Sequence, residues 1–153
     1  MLESYSFANV SLSINGVEIV DWAEGDDLIN CARREQAVMD VVGADGKMTP
    51  VVMANKSGTV TFTLKQNSTS CRYLYDICAA YQADTATFIP VNIQMTDVKL
   101  DDKANGTQGY ISKPADMVRG ANLGTAEWEI VVEDLDLFTG ELESTISDAL
   151  SLL

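Results

Sequence analysis

The sequence predicts a mainly β domain of α+β type, with one helix at its flank and an appended C-terminal segment. Three observations carry that expectation. Apolar residues alternate with polar ones in several separate runs, which is the period of half-buried strands. Asn15-Gly16 joins two such runs with the dipeptide that prefers a type I′ hairpin turn. Between residues 68 and 82, apolar residues instead fall at the spacing of an amphipathic helix. With 153 residues, 46% of them hydrophobic and 22% charged, the chain has the length and composition of one globular domain.

The elements follow in order. Residues 8–14 place Ala8, Val10, Leu12 and Ile14 on one face of a strand, and the Asn-Gly turn leads back through residues 17–20. Residues 28–33 and 36–42 read as a second strand pair. Gly43-Ala44-Asp45-Gly46 is dense in turn formers and Met48 and Val51-Val52-Met53-Ala54 follow, so residues 36–54 read as a hairpin with a mobile tip. In the next strand Val60, Phe62 and Leu64 alternate with Thr59, Thr61 and Thr63. Asn67 or Ser68 then offers an N-cap to a helix whose face is Cys71, Leu74, Tyr75, Cys78 and Tyr81. Ile89, Val91, Ile93 and Met95 alternate after it, and Pro90, which has no N–H for a ladder, confines that strand to a sheet edge or a bulge. Val98 and Leu100 continue the sheet, Asn105-Gly106 and Gly109 mark loops, and Ala126, Trp128, Ile130 and Val132 form a last strong strand. Leu142, Ile146, Leu150 and Leu153 give the C-terminal tail a helical stripe too short to hold alone.

Chemistry is sparse. The sequence has no histidine, which removes Ser-His-Asp and Cys-His nucleophile pairs and histidine-ligated zinc. Glu127 and Glu129 sit two apart on one strand face as solvated like charges, and the acids around residues 101–102 and 133–136 lack the order of an EF-hand loop. Gly43 to Lys47 lacks the spacing of a phosphate-binding loop. Cys31, Cys71 and Cys78 are an odd number without a CxxC pair, so they read as reduced packing residues. Neither a basic, apolar leader at Met1–Phe7 nor a long apolar run is present, and the expectation is a chain without a cleaved signal or membrane segment. No enzyme activity, cofactor or metal is expected.

The charge, by contrast, is strong and uneven. Twenty-three acids against ten bases give a net charge of −13, and all ten bases lie between Arg33 and Arg119 while residues 120–153 carry eight acids. Such a surface repels phosphate backbones and does not recruit them by counterion release. Such charge either does no more than keep copies apart in solution or makes a wall past which a polyanion slides without sticking.

Tyr5-Ser6-Phe7, the Gly43-Ala44-Asp45-Gly46 turn, Lys56-Ser57-Gly58-Thr59-Val60-Thr61, Ile111-Ser112-Lys113-Pro114-Ala115-Asp116 and Gly124-Thr125-Ala126-Glu127-Trp128 occur in an order that resembles the tail tube proteins of contractile-tailed, myovirus-type bacteriophages. The likeness spans roughly residues 4 to 133. It implies two packed antiparallel sheets in a sandwich or barrel-like fold, with a tube domain over residues 1–133 and an extension over residues 134–153 packed on that domain or on a neighbour. It further implies a virion protein assembled in the host cytoplasm, with six copies per ring and rings stacked into a hollow tube. Such a tube conducts genomic DNA without binding it specifically and meets a sheath, a baseplate and a tail terminator. By the same resemblance Gly43, Asp45, Gly46, Lys47 and Met48 are the candidate contact between stacked rings. Ile89, Pro90 and Val91 are candidates for an intersubunit edge strand. Thr59, Thr61 and Thr63 are candidates to line the lumen, with Glu127 and Glu129 as the alternative. An exposed Cys31 would be free to form an intersubunit disulfide once outside a reducing cytosol. Two other readings stay open: the tube of a phage-derived injection device that passes protein, and an acidic β-sandwich that binds a small ligand as a monomer.

Overall fold

In the computed structural model, which describes residues 2, 4–86 and 88–139, Asn15 and Gly16 have φ of 51° and 83°. Both lie in the left-handed region that a type I′ turn requires of its central residues. The turn joins β1 (Val10–Ile14) to β2 (Val17–Glu18), and a short 3-10 segment over Phe7–Asn9 precedes them. The remaining elements are β3 (Ile29–Arg33), β4 (Val38–Val42), β5 (Met48–Val52), β6 (Gly58–Lys65), α1 (Thr69–Ala83), β7 (Val91–Asp97), β8 (Asp102–Lys113) and β9 (Thr125–Phe138).

These strands make two antiparallel sheets: seven strands in the order β2-β1-β7-β8-β9-β6-β3, and the separate ribbon β4-β5. Leu12 and Ile14 of β1 share one core with Val60, Phe62 and Leu64 of β6, although the two strands stand far apart in that order. The large sheet therefore curls round its apolar face and supplies both walls of the core itself. The segment after β2 helps close it, for Trp22 bridges to Leu64 and the Lys65 N–H donates to the Asp21 carbonyl at 3.0 Å.

Helix α1 covers the open side. Ser68 caps it, its Oγ accepting from the Ser70 N–H at 3.1 Å and donating to the Val20 carbonyl at 2.9 Å. Cys71 and Leu74 reach the core, and the Tyr75 ring meets the fully buried Trp128 edge-on with centroids 4.8 Å apart. An edge-on pair of this kind is worth about 0.5–1.5 kcal/mol beyond its buried area.

Several expectations are corrected. Residues 28–33 and 36–42 are not a strand pair: β3 pairs with β6, opposing Ile29 to Phe62, while β4 pairs with β5 in the hairpin expected over residues 36–54. Periodicity fixes the face of a strand and leaves its neighbour open. Val98 and Leu100 lie in the turn between β7 and β8, where the Asp97 carboxylate accepts from the Lys99 and Leu100 N–H groups at 3.1 and 3.2 Å. Asn105-Gly106 and Gly109 lie within β8, where a side chain on either glycine would collide with Val132. β9 runs to Phe138, past the boundary expected at residue 133, because its end pairs with Lys103 and Ala104 of β8. The Leu142, Ile146, Leu150, Leu153 stripe lies outside the described residues.

Candidate functional site

The face of the large sheet turned away from the core is mostly polar, broken by Val131 and Tyr110, which stand opposite each other. Registers place Ser13, Gln94, Asn105 and Asp136 side by side across four strands. Farther along, Thr61 stands opposite Glu129 and Thr63 opposite Glu127, each half-buried threonine beside an exposed carboxylate. The two alternatives for a lining, Thr59, Thr61 and Thr63 on one hand and Glu127 and Glu129 on the other, thus occupy one surface. Directly opposed residues on antiparallel strands point to the same side.

The β4–β5 ribbon departs from the rest of the chain. Every residue of both strands is exposed, including Val38, Met39, Val41, Val42, Val51 and Val52. Pairing sets Val38 beside Val52 and Val42 beside Met48 on one face, and Met39 beside Val51 on the other, so both faces are apolar. The turn is firmly built. Gly46 N–H donates to the Gly43 carbonyl at 2.9 Å, Gly43 N–H to the Lys47 carbonyl at 2.9 Å, and Lys47 N–H to Asp45 Oδ1 at 3.0 Å. Gly46, at φ 83°, takes the left-handed position that such a bulged turn needs. Lys47 and Met48 stand at its tip, with Met48 65% exposed.

At the base of the ribbon, Arg33 Nε donates to the Leu135 carbonyl at 3.1 Å and its guanidinium lies 3.7 Å from Asp136 Oδ1. The Leu135 N–H donates in turn to the Lys56 carbonyl at 2.9 Å. Both strands leading into the ribbon are thereby tied to β9. A two-stranded hairpin alone is marginal in water, so one that shows two apolar faces calls for a partner surface.

The sheet has its free edges at β2 and β3. Ile89, Pro90 and Val91 are not an edge: β7 lies between β1 and β8, Ile89 and Pro90 precede it, and Val91 is buried at its first rung. Pro90 is tolerated because it stops short of the ladder, and the register shift between Val91 and Ile93 supplies the bulge that was the other option. Cys31 stands partly buried on the edge strand β3, opposite Val60 and against the core, and burial pushes its thiol up to about 11. The β8–β9 connection, where Met117, Val118 and Leu123 are all more than half exposed, was not anticipated. Its signal was apolar residues without strand or helix period in a stretch holding Pro114, Gly120 and Gly124.

Solved structures of low sequence identity share this fold. The sheath/tube terminator of PVC, an extracellular contractile injection system, in its extended state superposes with a TM-score of 0.65 at 9% identity, over 90% of this chain and 98% of that one. The tube-terminating cap of the anti-feeding prophage gives 0.59 at 10% identity, over 92% and 94%. A chain of the PVC sheath–tube complex gives 0.58 at 9% identity, over 86% and 88%. No curated protein matches the sequence. The class so defined is the tail-tube fold, a structural class. Within it, the family model of the bacteriophage PhiTE tail tube protein matches residues 2–140, and the chain belongs to that family.

Proposed function

We propose that the chain is the repeating subunit of a phage tail tube, six copies closing a ring and rings stacking into a hollow conduit for DNA during ejection. The β4–β5 ribbon carries this reading, because an apolar two-faced hairpin held clear of its own core calls for a partner surface, which the next copy in a tube supplies. In a ring, the free edges at β2 and β3 meet their counterparts on neighbours. The polar face bearing Thr59, Thr61, Thr63, Glu127 and Glu129 lines the bore, where carboxylates keep phosphate from adhering. Gly43, Asp45, Gly46, Lys47 and Met48 make the contact between rings. Sheath, baseplate and terminator are the expected outer and terminal partners, and the virion tail is the location. The family is a bacteriophage one, which favours DNA over protein as the cargo.

Negative-stain electron microscopy over a concentration series, with the mass in solution measured in parallel, tests the reading. Hollow rings or tubes are expected. A monodisperse monomer at every concentration would overturn the reading.

A further inference from the structure

β6 pairs antiparallel with both β3 and β9, matching Arg33 to Gly58 at one end and Lys65 to Thr125 at the other. The β4–β5 ribbon leaves from the Arg33–Gly58 end, and the β8–β9 loop, residues 114–124, enters β9 at the Thr125 end. Two exposed segments rich in apolar residues therefore sit at opposite ends of the same strand, about 25 Å apart at the rise of an extended chain.

The loop is held rigid for a segment without regular structure. Gln66, buried at the end of β6, donates through Nε2 to the Asp116 carbonyl at 3.0 Å and the Thr125 carbonyl at 2.7 Å. Its Oε1 accepts from Arg119 Nη1 at 2.6 Å, and its N–H donates to the Gly124 carbonyl at 3.1 Å. Tyr75 OH donates to the Ala115 carbonyl at 2.7 Å. Five hydrogen bonds thus fix a concave surface that leaves Met117, Val118 and Leu123 facing solvent. The ribbon carries Asp40 and Asp45 against Lys47, whereas the loop balances Arg119 against Asp116 and so lacks the acid excess of the rest of this chain.

We propose that the β8–β9 loop is the seat for the β4–β5 hairpin of the next copy along the tube, Met48 and its apolar neighbours packing on Val118 and Leu123 while the hairpin's acids meet Arg119. The proposal rests on the tube reading. Joining one end of a copy to the other end of the next makes a heterologous contact that need not close, the kind that propagates a filament.

Met48→Asp on the hairpin and Leu123→Asp on the loop test it, both at exposed positions. Each variant alone raises the critical concentration for tube growth by about tenfold or more. An equimolar mixture, in which an intact hairpin meets an intact loop, forms one junction and stops at paired rings. Normal tubes from Leu123→Asp, beside a polymerising wild type, overturn the seat and leave the tube reading standing; a wild type that never assembles overturns both. A mixture that associates no better than either variant alone overturns the pairing. Independently of those variants, a Met48→Cys/Leu123→Cys chain treated with a short thiol crosslinker gives a ladder of covalent oligomers on a denaturing gel. Failure of the ladder, with tubes visible, overturns the contact.

Discussion

Gly109 shows how closely β7, β8 and β9 are drawn together. A Cβ there would lie 2.7 Å from Val132 Cγ1, 2.9 Å from the Val131 carbonyl oxygen and 3.0 Å from that of Val91. Two of those atoms are backbone and cannot yield without moving a strand. Gly109→Ala is therefore expected to cost about 1–3 kcal/mol, whereas Gly120→Ala, with nothing within 4 Å, stays within about 0.5 kcal/mol of wild type. Urea denaturation of the pair measures the difference. Cys31 makes a prediction in pH. Burial raises its thiol from 9.0 to about 11, so the folded chain holds a proton that the unfolded chain releases in that interval. The contribution is full below pH 9, declines as pH rises towards 11, and is gone above it. Cys71, Cys78, Tyr75 and Tyr81 are shifted up by burial as well and act in the same direction. Cys31→Ala should accordingly flatten the alkaline fall in stability without abolishing it, as read from denaturation midpoints on either side of the window.

Among the elements, α1 depends on its first turn and the ribbon does not depend on the core. Ser68→Ala removes the cap to Ser70 and the bond to Val20, and a loss of about 1–2 kcal/mol in unfolding free energy is expected. Replacing residues 36–54 by a short Gly-Ser link, by contrast, leaves the monomer's thermal midpoint little changed and abolishes stacking, which calorimetry and sedimentation together would show. A large fall in the midpoint would mean that the hairpin supports its own subunit. These elements differ in how openly the sequence declares them. The β1–β2 hairpin, β6, α1 and β9 are legible because each is dictated locally, by an Asn-Gly turn, by strict alternation, or by a cap followed by a helical stripe. The β3–β6 pairing is not legible, since Ile29 and Cys31 present the same alternation to any partner. Gly106 and Gly109 read as loops because glycine at a turn and glycine under a neighbouring Val132 are the same letter. The hairpin tip could be read from its turn residues, but the apolarity of both ribbon faces resembles a buried strand until the absence of anything covering them is seen.

At the scale of the whole molecule, charge and curvature act together. The chain carries −13, and its last strand holds Glu127, Glu129, Glu133, Asp134 and Asp136 with no base among them. On a lone subunit these acids do no more than keep copies apart in solution. In the proposed ring, the polar face of the curled sheet would turn Glu127 and Glu129 of every copy toward a single axis, and a cleft in which acids outnumber Lys65 and Lys103 concentrates its field on whatever enters. A DNA duplex in such a bore meets repulsion on all sides and no fixed partner, so it moves freely. Reversing the sign reverses the consequence. Tubes assembled from Glu127→Lys/Glu129→Lys chains should retain double-stranded DNA, with an affinity that falls linearly in logarithm as salt is raised, steeply in proportion to the phosphates contacted. Wild-type tubes should release it at every salt concentration. Retention that does not depend on salt would point to contacts other than phosphate. Free release by the doubly substituted tubes would place the β6–β9 polar face on the outside, against the sheath, and leave the bore to another surface of the chain.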